Sequence, residues 1–151
     1  MRGIDKLHPL VREKAELFVE KCRAAGLNVL ILDTLRTPKE QDDLFAKGRD
    51  ENGNIVDPKK VVTYARGKDC QSMHQLGLAL DFCCGIKGKE WDNSDGFFDK
   101  CGVIAESIGF FWGGRFTKPK GDYGHIEFRG FGTTKEIIGR WQTPDFFIKS
   151  W

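Results

Sequence analysis

A chain of 151 residues that is 40% hydrophobic and 30% charged has the size and balance of one soluble domain with a single core, so residues 1–151 are expected to form one unit. No apolar run approaches the roughly 18 residues needed to cross a bilayer, and 24 basic against 22 acidic residues leave a net charge of only +2, so neither membrane insertion nor nucleic-acid binding is expected. Five cysteines, an odd number with Cys83 and Cys84 adjacent, point to free thiols rather than a disulfide framework.

The first stretch, MRGIDKLHPLVREKAELF, lacks the uninterrupted apolar segment of a secretory signal, which predicts synthesis and folding in the cytoplasm. From Pro9 to Ala25 the residues Leu10, Val11, Leu17, Phe18 and Cys22 recur at roughly helical spacing, with Pro9 in the tolerated first turn and Gly26 as a stop. His8 just before it reads as a surface or capping residue. Val29 to Leu32 reads as a buried strand, and a helix is expected from Pro38, with Leu44 and Phe45 turned inward and Gly48 ending it. Residues Arg49 to Lys60 carry Asn-Gly and Asp-Pro punctuation and predict a loop or small hairpin, followed by a short strand from Val61 to Tyr64.

The stretch Gln71 to Phe82, QSMHQLGLALDF, sets His74 and Asp81 seven residues apart around Gly77, which lets the backbone fold back between a ring nitrogen and a carboxylate. Leu78 to Leu80 fit a strand or a helix equally well. A Gly-, Lys- and Asp-rich loop then runs to Asp95, and Phe97 to Ile108 reads as a helix burying Phe98, Cys101, Ile104 and Ala105, with Gly109 ending it. Phe110 to Trp112 has strand character, and Gly113-Gly114 opens a loop from Arg115 to Gly121. Trp112 and Phe116 either wall a cleft or fill the core. In GDYGHIEF, which starts the strand His125 to Phe128, His125 supplies a third ligand. Two histidines and one carboxylate are a common catalytic-zinc set that leaves one position open for water. Asp122 is then a spare carboxylate suited to act as base, provided the chain bends at Gly124. A last short helix is expected over Thr134 to Trp141, with the aromatic tail of Phe146, Phe147 and Trp151 packed on the domain.

Ser72, His74, Gly77, Ala79 and Asp81 spell S-x-H-x-x-G-x-A-x-D, and Asp122 with His125 spells acid-x-x-H. On these two motifs, and over about Leu27 to Phe128, the chain resembles the zinc peptidases of the D-alanyl-D-alanine carboxypeptidase and phage L-alanyl-D-glutamate endopeptidase group. The resemblance implies an α+β fold: one small domain with an antiparallel sheet flanked by helices and zinc in a surface cleft, as in Hedgehog and D,D-peptidase domains. It also implies that Arg36 and Gln41 line the substrate cleft and turns Ser72 towards substrate; the planar Arg36 guanidinium suits a substrate carboxylate or a developing oxyanion. Gly124 departs from the group, whose members often carry a bulkier or stiffer residue there.

The expected activity is therefore zinc-dependent hydrolysis, with zinc on His74, Asp81 and His125, Asp122 as base and Arg36 holding substrate or oxyanion. The implied substrate is the peptidoglycan stem peptide, cut at L-alanyl-D-glutamate by a monomeric phage or prophage endolysin that acts on the wall after release. D-alanyl-D-alanine cleavage is the close alternative. Other classes are a cysteine peptidase using Cys70 with His125 as its base, and a non-enzymatic zinc-stabilised domain. A thiolate zinc site from Cys70, Cys83, Cys84 and Cys101 lacks any C-x-x-C pair.

Overall fold

Strand β2 (Ala79–Cys84) is buried along nearly its whole length because it is central to a four-stranded antiparallel sheet. In this computed structural model, which describes residues 3–117 and 120–151 apart from the Phe146 side chain, the strand order is β1 (Val29–Asp33), β2, β4 (His125–Glu127) and β3 (Phe111–Trp112). The stretch that fitted strand and helix equally is thus resolved as a strand from Ala79 onward. Its register sets Asp81 opposite Asp33 on one side and opposite His125 on the other. Directly paired residues project from the same face, so this register gathers chemistry from three strands at one point.

Helices cover the sheet. In α1 (Pro9–Ala24) the buried residues are Val11, Ala15, Phe18 and Cys22, a stripe spaced 4, 3 and 4 along one face. Leu10 and Leu17, expected in that stripe, remain 39% and 40% exposed, because one residue of rotation carries each of them to the flank. Phe18 meets Phe82 edge-on at 5.2 Å, and Phe98 of α3 (Phe97–Ile108) meets Phe82 at 5.7 Å. Helix α3 buries Phe98, Cys101 and Ala105 as expected, leaves the expected Ile104 only partly buried, and ends at Gly109, whose φ of 101° requires glycine.

Strand β1 departs from expectation. It pairs only with β2, so it is an edge, and only Val29 is buried while Leu30 is 41% exposed. Helix α2 (Pro38–Phe45) starts with a capping box between Thr37 and Glu40. It ends three residues before Gly48, and its fully buried residue is Gln41, with Leu44 and Phe45 only half-buried. Arg49 and Ile55 form a single antiparallel bridge, the remnant of a hairpin. Val61 to Tyr64 form no strand; that segment runs without regular pairing along a cleft.

His8 caps α1, its Nδ1 accepting from the Leu10 amide at 3.2 Å. Its ring also receives the C-terminal tail, with Phe147 at 5.8 Å and Trp151 at 5.1 Å. After α4 (Thr134–Trp141) the tail forms α5 (Pro144–Lys149) and packs on the domain through Phe147, which is buried; the side chain of Phe146 lies outside the described residues. Among the described residues no helix is long and apolar enough to cross a membrane.

Candidate metal centre and catalytic cleft

His74 is delivered by a single 3-10 turn, Met73–Leu76, which Ser72 caps by accepting from the His74 amide at 3.3 Å. Gly77 closes the turn at φ 64°, a left-handed conformation that feeds the chain back into β2. The reversal lays the buried His74 ring beside Asp81. Its Nε2 is 3.1 Å from Asp81 Oδ1 and 3.3 Å from His125 Nδ1, and His125 Nδ1 is 3.0 Å from the same Oδ1. Three donor atoms on a triangle of this size match one face of a tetrahedral zinc site, whose edge is roughly 3.3 Å for bonds of about 2.0–2.2 Å. Among the described residues these three form the group able to hold a metal, and all five cysteines are buried free thiols.

The surroundings fix which nitrogen each histidine presents. His74 Nδ1 donates to the Thr34 carbonyl at 2.6 Å, leaving Nε2 for the metal. His125 Nε2 donates to Glu127 Oε2 at 2.9 Å, leaving Nδ1, and Arg129 Nε donates to the other Glu127 oxygen at 2.6 Å. Burial alone would raise the Asp81 carboxyl, but the two histidines overcome it and hold the group far below the usual carboxylate range. Burial likewise pulls His125 down, yet hydrogen bonds to Asp81 and Glu127 outweigh it and raise its pKa to about 10.

Asp33 and Asp81 stand opposite one another on neighbouring strands, a placement that repels unless a cation lies between. Arg36 is that cation. Its Nε donates to Asp33 at 2.8 Å, one terminal nitrogen reaches Asp81 Oδ2 at 3.0 Å and the other reaches Gln41 Oε1 at 2.8 Å. Gln41 is 1% exposed and its amide nitrogen also donates to the Ala65 carbonyl at 2.9 Å, so Gln41 aims Arg36 from the cleft floor. All three guanidinium nitrogens of Arg36 are thereby engaged in steering a ligand.

Asp122 opens into the same cleft of about 1600 Å³ that His74, Asp81, His125, Arg36, Gln41 and Ser72 line. Its carbonyl accepts from the His125 amide at 3.3 Å, the tight turn that lets residues three apart serve one centre. Burial between the cleft walls raises its pKa, partly countered by His125. Gly124 lies in this turn without a left-handed φ, so glycine is needed for closeness rather than for bending. A Cβ there would stand 2.6 Å from the Phe82 carbonyl oxygen.

Phe116 lines the cleft, its ring 5.7 Å from that of His125, whereas Trp112 is 3% exposed and belongs to the core, where its Nε1 donates to the Tyr123 carbonyl. Cys70 is buried outside the cleft lining, and burial pushes its thiol up to about 11, the reverse of what a nucleophile needs. The sequence reading missed the aligning groups Thr34, Asp33, Glu127 and Arg129. Glu127 had a signal, since it lies two residues from His125 on a strand and faces the same side. The Thr34 carbonyl, a backbone group, had none.

A family model described as D-alanyl-D-alanine carboxypeptidase matches residues 65–128, which hold both motifs. The peptidoglycan L-alanyl-D-glutamate endopeptidase CwlK of Bacillus subtilis (strain 168) is 39% identical over 130 residues, covering 80% of this chain and 72% of CwlK. Among solved structures, a variant of the vancomycin-resistance D,D-pentapeptidase VanY in complex with Zn(II) aligns with a TM-score of 0.63 at 15% identity, over 94% of this chain and 83% of that one. VanYB in complex with D-alanine-D-alanine aligns at 0.55 and 17% identity, over 95% and 83%. The structural likenesses establish the fold, an α+β domain with an antiparallel sheet, and the CwlK match carries the relationship into the sequence itself. The chain belongs to the D-alanyl-D-alanine carboxypeptidase family of metallopeptidases.

Proposed function

We propose that this chain is a zinc-dependent endopeptidase that hydrolyses the L-alanyl-D-glutamate bond of the peptidoglycan stem peptide. The observation that carries the zinc chemistry is the triangle of His74 Nε2, Asp81 Oδ1 and His125 Nδ1, with both remaining histidine nitrogens bonded to fixed acceptors. The choice of bond follows the 39% identity to CwlK, against 15% and 17% to the VanY structures.

Zinc on these ligands would supply the Lewis acidity that makes a water nucleophilic near neutral pH. Asp122, in the same cleft and sensitive to the charge of the ligands, accepts a proton from the attacking water and returns it to the leaving D-glutamate amine. Arg36 keeps Asp81 aimed, and a guanidinium donor left over from Asp33, Gln41 and Asp81 would serve the developing oxyanion. Ser72 contacts the substrate backbone at the cleft edge. Release of a cytoplasm-made monomer onto the wall, as a phage-type endolysin, completes the proposal.

Purified muropeptides digested with the zinc-loaded protein and read by mass should lose the bond between L-alanine and D-glutamate. Release of D-alanine alone would instead assign a carboxypeptidase. Lysis of walls by externally added protein, with its sedimentation mass, tests the endolysin and monomer parts.

A further inference from the structure

Trp91 is 66% exposed although it is among the largest apolar side chains of the fold, and its exposure is built rather than incidental. One face of the indole lies parallel to Phe98, with centroids 6.0 Å apart and planes 9° apart, leaving the opposite face free. Its edge abuts the backbone next to a metal ligand: a Cβ on Gly124 would lie 3.2 Å from Trp91 Cζ3. The loop that carries it is tied at both ends. The Cys84 amide donates to the Glu90 carbonyl at 3.0 Å, the Phe98 amide to Asn93 Oδ1 at 2.8 Å and Asn93 Nδ2 to Asp99 at 2.8 Å. A flat apolar face is thus held rigidly along the wall of the catalytic cleft, so a ligand stacking on it meets little ordering cost.

The proposed cleavage dictates what lies beside that face. L-alanine is joined through its nitrogen to the lactyl group of muramic acid, so a bond cut after L-alanine leaves one residue, roughly 3.5 Å of chain, between the scissile carbonyl and the lactyl group that carries the sugar. A cut between the terminal D-alanines would put three further residues, roughly 10 Å of extended chain, in that gap. We infer that Trp91 is a saccharide platform: its free face stacks on the muramyl sugar and makes the enzyme prefer glycan-linked stems over free stem peptides. A pyranose presents a face of C–H groups that matches an indole in size and polarity. This inference rests on the endopeptidase reading, since only that cut brings the sugar next to His125.

The test compares two substrates of identical stem sequence, one bearing N-acetylmuramic acid on L-alanine and one a free peptide, with zinc-loaded wild type, Trp91→Ala and Trp91→Leu. The leucine variant keeps apolar cover on Phe98 without a flat face and serves should alanine destabilise the loop. Both variants should keep the zinc and lose roughly tenfold or more in kcat/KM on the muramyl substrate through KM, with the free peptide unchanged. Equal losses on both substrates would make Trp91 a packing residue for Gly124, and no loss on either would remove the platform; each overturns the inference. N-acetylmuramyl-L-alanine, the product left on the sugar side, gives a readout independent of turnover. Calorimetry should show wild type binding it and both variants binding it roughly tenfold more weakly. If mass analysis finds D-alanine release and no cut after L-alanine, the bond assignment fails and the inference falls with it. No binding and no sugar preference in an enzyme that cuts after L-alanine sinks the platform alone.

Discussion

His125 Nε2 lies 2.9 Å from Glu127 Oε2, on the opposite side of the ring from the Nδ1 that meets Asp81. Glu127 lines the cleft, but one of its carboxylate oxygens is held by His125 and the other by Arg129, so it works through the ligand. Glu127→Ala should weaken zinc binding by roughly 10–100-fold, the usual worth of such a partner, and Glu127→Gln should recover part of it through its remaining acceptor. Competition with a chromophoric chelator gives the affinity. Unchanged affinity with lost turnover would return Glu127 to a direct catalytic role.

The contrast between Glu127 and Thr34 shows what the sequence could reveal. The gathering of His74, Asp81 and His125 in one cleft with Asp122 was legible because metal and acid–base chemistry need particular side chains at particular spacings. Helix α3 was legible because its apolar period and the Gly109 stop agreed. Strand β1 was misread as buried because an apolar run looks the same on an edge as in the centre, and the sheet order decides which it is. The bonds of Arg36 to Asp33, Gln41 and Asp81 come from a register that no local pattern encodes.

Asp122 lines the cleft and takes no part in the ligand triangle, so its removal should separate binding from chemistry. Asp122→Ala should keep zinc and melting temperature while losing roughly 10²–10⁴-fold in turnover, the range of a positioned base. Asp122→Glu should regain a part. Near wild-type turnover by the alanine variant would place the base elsewhere.

The metal-free protein should answer to pH through His125. Its folded pKa of about 10 lies above the ordinary histidine value of about 6.5, so its contribution to stability is full below that ordinary value and is lost as pH rises through 10. Chelated protein should therefore melt lower at pH 10 than at pH 7. Zinc must displace that proton, so apparent zinc affinity should rise over the same interval, and the loaded protein should show a flatter melting profile. A chelated protein whose melting is flat from pH 7 to 10 would remove the protonated His125 from the account.

The thiol alternative makes an opposite forecast. Cys70 is buried with its pKa pushed up to about 11, and it sits in a left-handed backbone conformation at φ 48°. Cys70→Ser should leave turnover intact, while a strong chelator should abolish it and added zinc restore it. Loss of activity in Cys70→Ser at unchanged zinc content and melting temperature would reinstate a nucleophilic thiol.

Gly124 has no room for a side chain, so adding one should have a cost. The Phe82 amide donates to the Gly124 carbonyl at 2.7 Å, drawing the turn before His125 tightly onto β2, and the Phe82 carbonyl oxygen sits where a Cβ would need to be. Phe98 and Trp91 close the other sides, at 3.7 and 3.2 Å from that position. Gly124→Ala must push β4 away from β2 at the point where Asp81 pairs with His125. The strain should cost about 1–3 kcal/mol of stability, as overpacking of a filled site does. Because the displaced strand carries a ligand, zinc affinity should fall together with the melting temperature, unlike Asp122→Ala, which should leave both intact. Thermal melting and chelator competition on the two variants side by side make the comparison. A Gly124→Ala protein with wild-type melting and zinc affinity would mean that the turn relaxes without moving His125, and the close approach to Phe82 would then carry no weight in positioning the ligand.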